Sequence, residues 1–142
     1  MSEETIPQIS LRDILLVESE FKKLGDKGKW PQQHTLINIE LRASESEDIT
    51  ICELTITLTP SDEGEQVYYA KVKMEAAFIL PAELPFDREQ FKYINGPAII
   101  YPYIREHISA VTGKAGIGPI FLAPFNFVQH YKTHIQGKIT SD

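Results

Sequence analysis

The fold is decided by residues 95–127, NGPAIIYPYIREHISAVTGKAGIGPIFLAPFNF. Apolar residues recur there at alternating three- and four-residue spacings, which places them on one face of a helix. The stretch therefore predicts a long helix over residues 99–111, followed by a glycine-rich crossover at 113–118. The predicted apolar face consists of Ile100, Tyr103, Ile104, His107, Ile108 and Val111.

Two prolines and one glycine are expected to shape this helix. Pro97 suits the first helical turn, where no backbone N–H donor is needed. Pro102 removes a donor inside the helix, so we expect a kink or a later start there. Gly113 is the predicted C-terminal stop, because glycine adopts a positive φ without a Cβ clash.

Four strands are predicted ahead of the helix, because apolar and polar residues alternate there with a period of two. They cover residues 8–21, 34–44, 49–59 and 66–80. The alternation of the first strand changes phase near Arg12 and Asp13, which indicates a β-bulge. Four consecutive strands with short connections predict an antiparallel sheet, and the fold class is α+β.

An apolar connection at residues 79–94, interrupted by Pro81 and Pro85, joins the sheet to the helix. Asp87 is a candidate N-cap for a short helix within it. A C-terminal helix is predicted at 127–135, with Asn126 as its N-cap. Because an apolar connection must pack against something, loose packing at this point leaves a groove beside the sheet.

Length and composition predict one domain over residues 1–142, with flexible ends at 1–7 and 136–142. The net charge of −6 argues against nucleic acid or an anionic membrane as the main partner, since both attract basic surfaces. The N-terminal residues lack the basic start and apolar run of a secretory signal, and no run approaches the roughly 18 apolar residues of a transmembrane helix. The single Cys52 excludes an internal disulfide. We therefore predict a cytoplasmic protein.

No catalytic, metal or cofactor motif is complete in the sequence. The segment GKAGIG, residues 113–118, lacks the spacing of a phosphate-binding loop. His130 and His134 lie one helical turn apart, but no third ligand accompanies them. His107 and Ser109 do not form a triad, because Ser109 projects away from His107 on the helix. We expect neither an enzyme, nor a metal site, nor a cofactor.

Aromatic and aliphatic residues are frequent in the irregular segments. Two interpretations stay open: they form ordinary core, or they form an accessible apolar surface of the kind that marks a binding site. The residues are Leu84, Phe86, Phe91, Tyr93, Ile120, Phe121, Phe125 and Tyr131.

Two blocks of sequence, GPAIIYPYIRE at 96–106 and LAPFNF at 122–127, resemble the signature of SecB, the bacterial protein-export chaperone. The two blocks lie in the same order as in that family, with a similar gap, and the strand pattern agrees over roughly residues 8 to 132. The resemblance implies a four-stranded antiparallel sheet with the long helix and the C-terminal helix packed on one side. It also implies a homotetramer, a dimer of dimers, in the bacterial cytoplasm.

The resemblance further implies an ATP-independent chaperone that binds unfolded preproteins in apolar grooves and delivers them to the SecA motor. The implied client-binding residues are Leu80, Leu84, Phe86, Phe91, Tyr93, Ile120, Phe121, Leu122, Phe127 and Tyr131. The implied interface residues are Ala70, Val72 and Met74 of the fourth strand together with the apolar helix face Ile100, Tyr103, Ile104, His107, Ile108 and Val111.

The implied motor contact is Glu18, which matches an acidic strand residue of the family. Lys22 and Lys71 stand where the family has acidic residues, and the tail lacks an acidic, glutamine-rich extension. Client binding is thus implied more directly than docking on SecA.

Two alternatives accompany this hypothesis. A SecB-like chain can be dedicated to one client, such as the antitoxin of a toxin–antitoxin pair. A chain of this layout can also hold a small molecule between sheet and helices, using His107 or the hydroxyls of Tyr101 and Tyr103.

Overall fold

A computed structural model describes residues 9–24, 35–62, 65–66, 68–84, 87–116 and 119–136. Five strands are present in it: β1 (Ser10–Lys23), β2 (Thr35–Ser46), β3 (Ile49–Asp62), the short β4 (Glu65–Gln66) and β5 (Tyr68–Ile79). The ends expected to be flexible were residues 1–7 and 136–142; residues 1–7 and 137–142 lie outside the described residues, and Gln136 is the last residue of a helical stretch.

The four long strands form one antiparallel sheet in the order β1-β5-β3-β2, and β4 pairs with the end of β3. The predicted four-stranded antiparallel sheet is therefore confirmed. The chain crosses from β1 to the far side of the sheet, returns through β2 and β3, and places β5 between β3 and β1. Strands β1 and β2 are consequently the two edges of this sheet among the residues described.

The first strand bends at two points. Its pairing register with β5 shifts between Leu11 and Asp13 and again between Leu16 and Glu18. The first shift confirms the bulge that the sequence pattern indicated near Arg12. The pairing of β2 with β3, in contrast, continues without a shift over the full length of β2.

The helical part begins with α1 (Arg88–Gln90), widens into a π-helical stretch (Phe91–Asn95) and continues as α2 (Gly96–Lys114). After an extended segment, α3 (Phe127–His130) continues as a second π-helical stretch (Tyr131–Gln136). The side chains of Asp87 and Asn126 accept hydrogen bonds from the backbone N–H groups of Glu89 and Gln129, at 3.0 Å each. Both predicted N-caps are thereby confirmed.

The long helix starts earlier and ends later than the sequence pattern predicted. It begins at Gly96, so Pro102 lies in its interior without delaying its start. Gly113 is helical, and the positive φ of 80° falls on Gly116. The N–H of Ala115 donates to the carbonyl of Val111 at 3.0 Å, and the helix continues to Lys114, three residues beyond the predicted end at Val111.

The core lies between α2 and one face of the sheet, which we call the helix face. Cross-strand partners share a face, and the residues of β3 and β5 on this face are buried together with one side of α2. They are Cys52, Leu54, Ile56, Leu58, Ala70, Val72, Met74, Ala76, Phe78, Ile100, Ile104 and Ile108. The opposite face, the outer face, carries the charged residues of the same strands.

The start of α2 touches the sheet most closely at Gly96. A Cβ atom at this position would lie 2.5 Å from the sulfur of Cys52, which is fully buried in β3. Burial raises the pKa of the Cys52 thiol to about 12, and the charge of Lys92 opposes this only in part. The thiol is therefore a core group that stays protonated.

No helix among the residues described is long and apolar enough to cross a membrane.

Candidate functional site

A groove of about 420 Å³ lies between edge strand β2 and the extended segment at 119–126. Most of its wall is apolar or aromatic, which is typical of a surface that binds apolar side chains. The lining residues are Ile37, Asn38, Ile39, Tyr101, Leu122, Ala123, Pro124, Phe125, His130 and His134.

One wall of the groove is strand β2. Ile37 and Ile39 pair with the buried Leu58 and Ile56, so they point to the helix face of the sheet. Ile37 is nevertheless 53% exposed. The edge position therefore leaves apolar side chains accessible that an interior strand would bury.

The opposite wall, which we call the strap, is the segment at 119–126, and two hydroxyl groups of α2 hold it. The Oγ1 of Thr112 accepts a hydrogen bond from the N–H of Ile120 at 2.8 Å and donates one to the carbonyl of Ile108 at 2.7 Å. The hydroxyl of Tyr101 donates a hydrogen bond to the carbonyl of Ala123. The strap is thus attached to the same helix at two points, Ile120 and Ala123.

Aromatic rings close the base of the groove. The rings of Phe125 and Phe127 meet edge to face with centroids 4.7 Å apart, and Tyr101 meets Phe127 in the same way at 5.7 Å. Burial raises the pKa of Tyr101, so its hydroxyl remains a hydrogen-bond donor.

Two histidines form the rim at the end of α3. The rings of His130 and His134 stack with centroids 4.7 Å apart and an interplanar angle of 17°. Burial, and then the charge of His134, lower the pKa of His130 below its usual 6.5. Within the described ranges no group of three or more His, Cys, Asp or Glu side chains could hold a metal ion.

The predicted client-binding residues occupy different environments. Leu122 lines the groove, although its own side chain is only 6% exposed. Phe121 is 74% exposed on the strap, and Ile120, Leu84 and Tyr93 are half-buried. Leu80, Phe91, Phe127 and Tyr131 are buried, and Phe86 lies outside the described residues.

Leu80 and Phe91 of the connection at 80–93 are buried in the core, and Leu84 packs against it. Phe91 meets Phe78 of β5 edge to face at 5.0 Å, and Tyr93 stacks on Tyr131 at 6.2 Å. Lys92 bridges Glu89 at 2.8 Å and Glu45 at 3.2 Å, which attaches this connection to the end of β2. In the single chain the accessible groove therefore lies beside β2 and the strap, displaced from this connection.

Several residues that line the groove were not predicted to be binding residues from the sequence. Ile37 and Ile39 follow a regular alternation, which does not distinguish an edge strand from a covered one. Phe125 was counted only among the apolar residues of irregular segments. A signal for His130 was present, because aromatic and histidine residues recur on one side of the last helix, but it was interpreted only as a failed metal site.

The predicted interface residues also divide into two groups. The first group is at most 8% exposed in the single chain and is buried between α2 and the sheet. It consists of Ala70, Val72, Met74, Ile100, Ile104 and Ile108. Tyr103 is 47% exposed, and His107 and Val111 are half-buried on the flank of the helix. His107 also contacts β1, since its Nε2 lies 2.8 Å from the hydroxyl of Ser19.

Glu18, the predicted motor contact, lies on the outer face in β1. Its carboxylate is 3.5 Å from the ammonium group of Lys71 in the neighbouring β5. Lys73 and Glu53 form a second pair on this face at 3.0 Å, and Lys22 pairs with Glu20 at 2.9 Å. Charges of both signs therefore alternate over this surface.

A comparison with family models matches residues 3–138 to the family described as preprotein translocase subunit SecB. The protein-export protein SecB of Azoarcus sp. (strain BH72) is 30% identical over 97% of this chain and 91% of its own length. That of Aromatoleum aromaticum is 30% identical over 90% of this chain and 80% of its own length.

A similar fold occurs among solved structures. The SecB-like chaperone of Mycobacterium tuberculosis, solved in complex with a peptide from an antitoxin, superposes with a TM-score of 0.67. The match covers 83% of this chain and 88% of that one at 18% sequence identity, so the likeness concerns the fold.

Proposed function

Because the chain belongs to the SecB family of protein-export chaperones, we propose that it binds unfolded preproteins in the groove between β2 and the strap. Members of this family are chaperones and not enzymes. In this proposal the chain acts in the cytoplasm without ATP and supports export through a SecA-type motor.

The observation that carries the proposal is an apolar groove beside an accessible sheet edge. Ile37, Leu122 and Phe125 line the groove, and Phe121 of the neighbouring strap is 74% exposed. Because β2 pairs on one side only among the described strands, its other edge is available to an extended chain. A client segment can thus bind through its backbone while its apolar side chains enter the groove, which accommodates many sequences.

The predicted client-binding residues have two different roles in this proposal. Phe127 contacts Tyr101 and Phe125 at the base of the groove, whereas Leu80, Phe91 and Tyr131 are buried and act indirectly through packing. Phe121 and Ile120 provide direct client contacts, Leu122 forms part of the groove wall, and Leu84 and Tyr93 contribute at the half-buried margin.

Assembly as a dimer of dimers places Tyr103, His107 and Val111 at subunit contacts in this proposal. The buried group, Ala70, Val72 and Met74, acts by setting the position of α2 on the sheet. SecA docks on the outer face through Glu18, which must then leave its pairing with Lys71. Co-purification of SecA with the Glu18→Lys variant and with the wild-type chain tests this contact.

A dedicated client is the second candidate function. It is favoured by the shared fold with the mycobacterial chaperone, which was solved with an antitoxin peptide. Pull-down from the chain's own cell separates the two candidates, since a general export chaperone retains many preproteins and a dedicated one retains a single partner.

The groove is tested by adjacent residues on opposite faces of one strand. Ile37→Asn removes apolar surface from the groove, and we expect it to weaken binding of a permanently unfolded, alkylated model protein about tenfold. Leu36→Asn is the matched control, because Leu36 is 75% exposed but points to the outer face. Suppression of aggregation, measured by light scattering without ATP, should follow the same order.

The proposal fails if the folded wild-type chain leaves aggregation unchanged. The assignment of the client-binding site to this groove is contradicted if Leu36→Asn weakens binding as much as Ile37→Asn does.

A further inference from the structure

The strap is attached to α2 at two points, and an exposed aromatic ring lies between them. Thr112 holds the N–H of Ile120, and Tyr101 holds the carbonyl of Ala123. The two residues between these points alternate, with Leu122 buried toward the groove and Phe121 74% exposed.

Both hydroxyls lie on the buried side of α2. Thr112 is 1% exposed and Tyr101 is 8% exposed, so neither hydroxyl is free to exchange its partner for bulk water at little cost. Thr112 is also anchored in turn, because it donates to the carbonyl of Ile108 one turn back in the helix. The strap therefore takes its position from a rigid element of the core.

We propose that Tyr101 and Thr112 are positioning residues for client binding, which hold the strap at the distance from β2 that the groove requires and present Phe121 to the client. This inference rests on the proposed function. An exposed phenyl ring on a fixed segment loses less conformational entropy when it binds than one on a mobile loop. The two hydroxyls thus contribute to affinity without touching the client.

The variant Tyr101→Phe tests the proposal with little disturbance to the core. It keeps the ring contact with Phe127 and removes only the hydroxyl. The freed carbonyl of Ala123 belongs to an exposed residue and can bind water. Tyr69→Phe is the control, since it also removes only a tyrosine hydroxyl, at a half-buried residue on the outer face of β5.

Two measurements are needed for each variant. Amide hydrogen exchange across residues 120–125 should accelerate about 2- to 12-fold in Tyr101→Phe, as expected for the loss of one hydrogen bond, and stay unchanged in Tyr69→Phe. Binding of the alkylated model protein should weaken by a similar factor, while the thermal midpoint changes little. Thr112→Val should accelerate exchange at Ile120 most, because that N–H loses its acceptor.

The outcomes separate this inference from the proposed function. Unchanged exchange in Tyr101→Phe overturns the inference, as does faster exchange with unaltered client affinity. A wild-type chain that binds no unfolded protein overturns the proposed function and, with it, the positioning role in binding, even if the exchange data show that the hydroxyls hold the strap.

Discussion

His130, which lies at the rim of the groove, makes the stability of the chain depend on pH. Its pKa is lowered by burial and by the neighbouring His134, so the unfolded chain binds a proton there more readily than the folded chain. The contribution to stability is therefore complete above about pH 6.5 and is lost as the pH falls below that value through the lowered pKa.

We expect wild type to lose more stability than His130→Gln when the pH falls from about 7 to about 5. Urea unfolding at both pH values measures the difference. The effect of carboxylate titration on stability cancels in this comparison, because both chains have the same carboxylates. His134→Gln serves as the partner variant, since removing its charge should raise the pKa of His130, as followed by NMR. Equal pH dependence in wild type and His130→Gln would contradict the prediction.

Single residues also show where sequence reasoning reached its limit. Asp87 and Asn126 were identifiable as N-caps, because the interaction is local and spans only two or three residues. The exposure of Ile37 was not identifiable, because it depends on which strand lies at the edge and on where the strap crosses. Burial of Phe91 depends in the same way on the distant Phe78.

At the scale of elements, Gly96 determines how closely α2 approaches β3. An added Cβ would lie 2.5 Å from the sulfur of Cys52 and 3.3 Å from its Cβ, both of them fully buried. Gly96→Ala should therefore destabilise the fold by about 1–3 kcal/mol, as overpacked cores do. Adding Cys52→Ala should restore part of this loss, because the sulfur is then gone.

The matched control is Gly113→Ala in the same helix. The added Cβ meets only the Cβ of Pro119 at 3.9 Å, an ordinary contact, so helix propensity decides the result. We expect a gain of up to about 1 kcal/mol in urea unfolding. Gly96→Ala with stability equal to wild type would show that α2 can move away from the sheet freely.

The types of the elements were predictable, and their boundaries and order were less so. The period-two pattern predicted the long strands and the apolar stripe predicted α2, because both patterns follow from local geometry. The sequence pattern left open that β1 lies beside β5, since this pairing joins distant parts of the chain. The end of α2 was assigned to Gly113, although Gly116 adopts the positive φ.

At the scale of the whole molecule, the proposed tetramer has a definite mass. Four chains of 16.1 kDa give about 64 kDa by light scattering. Tyr103→Asp should reduce this mass, because it places a charge on the half-exposed flank of α2 where subunits are expected to meet. Glu106→Gln, at an exposed position of the same helix, is the control and should keep the mass of wild type.

A wild-type chain that runs as a monomer would contradict the assembly while leaving the groove itself open to test. The family resemblance, carried by residues 96–106 and 122–127, predicted the fold and the family correctly. It did not predict which apolar residues a single chain leaves accessible, because the same side chains serve as core in one place and as surface in another.

The two rims of the sheet are not equivalent, because β1 changes register twice and β2 not at all. A kinked rim is a poor template for a regular ladder, whereas a straight one accepts another chain residue by residue. In the proposed function the chain binds unfolded polypeptides, and exposed strand edges of such polypeptides can pair with a sheet edge. Repeated edge-to-edge stacking of copies of this sheet needs two regular edges, and among the described strands only β2 provides one, so the bulges of β1 interrupt such stacking.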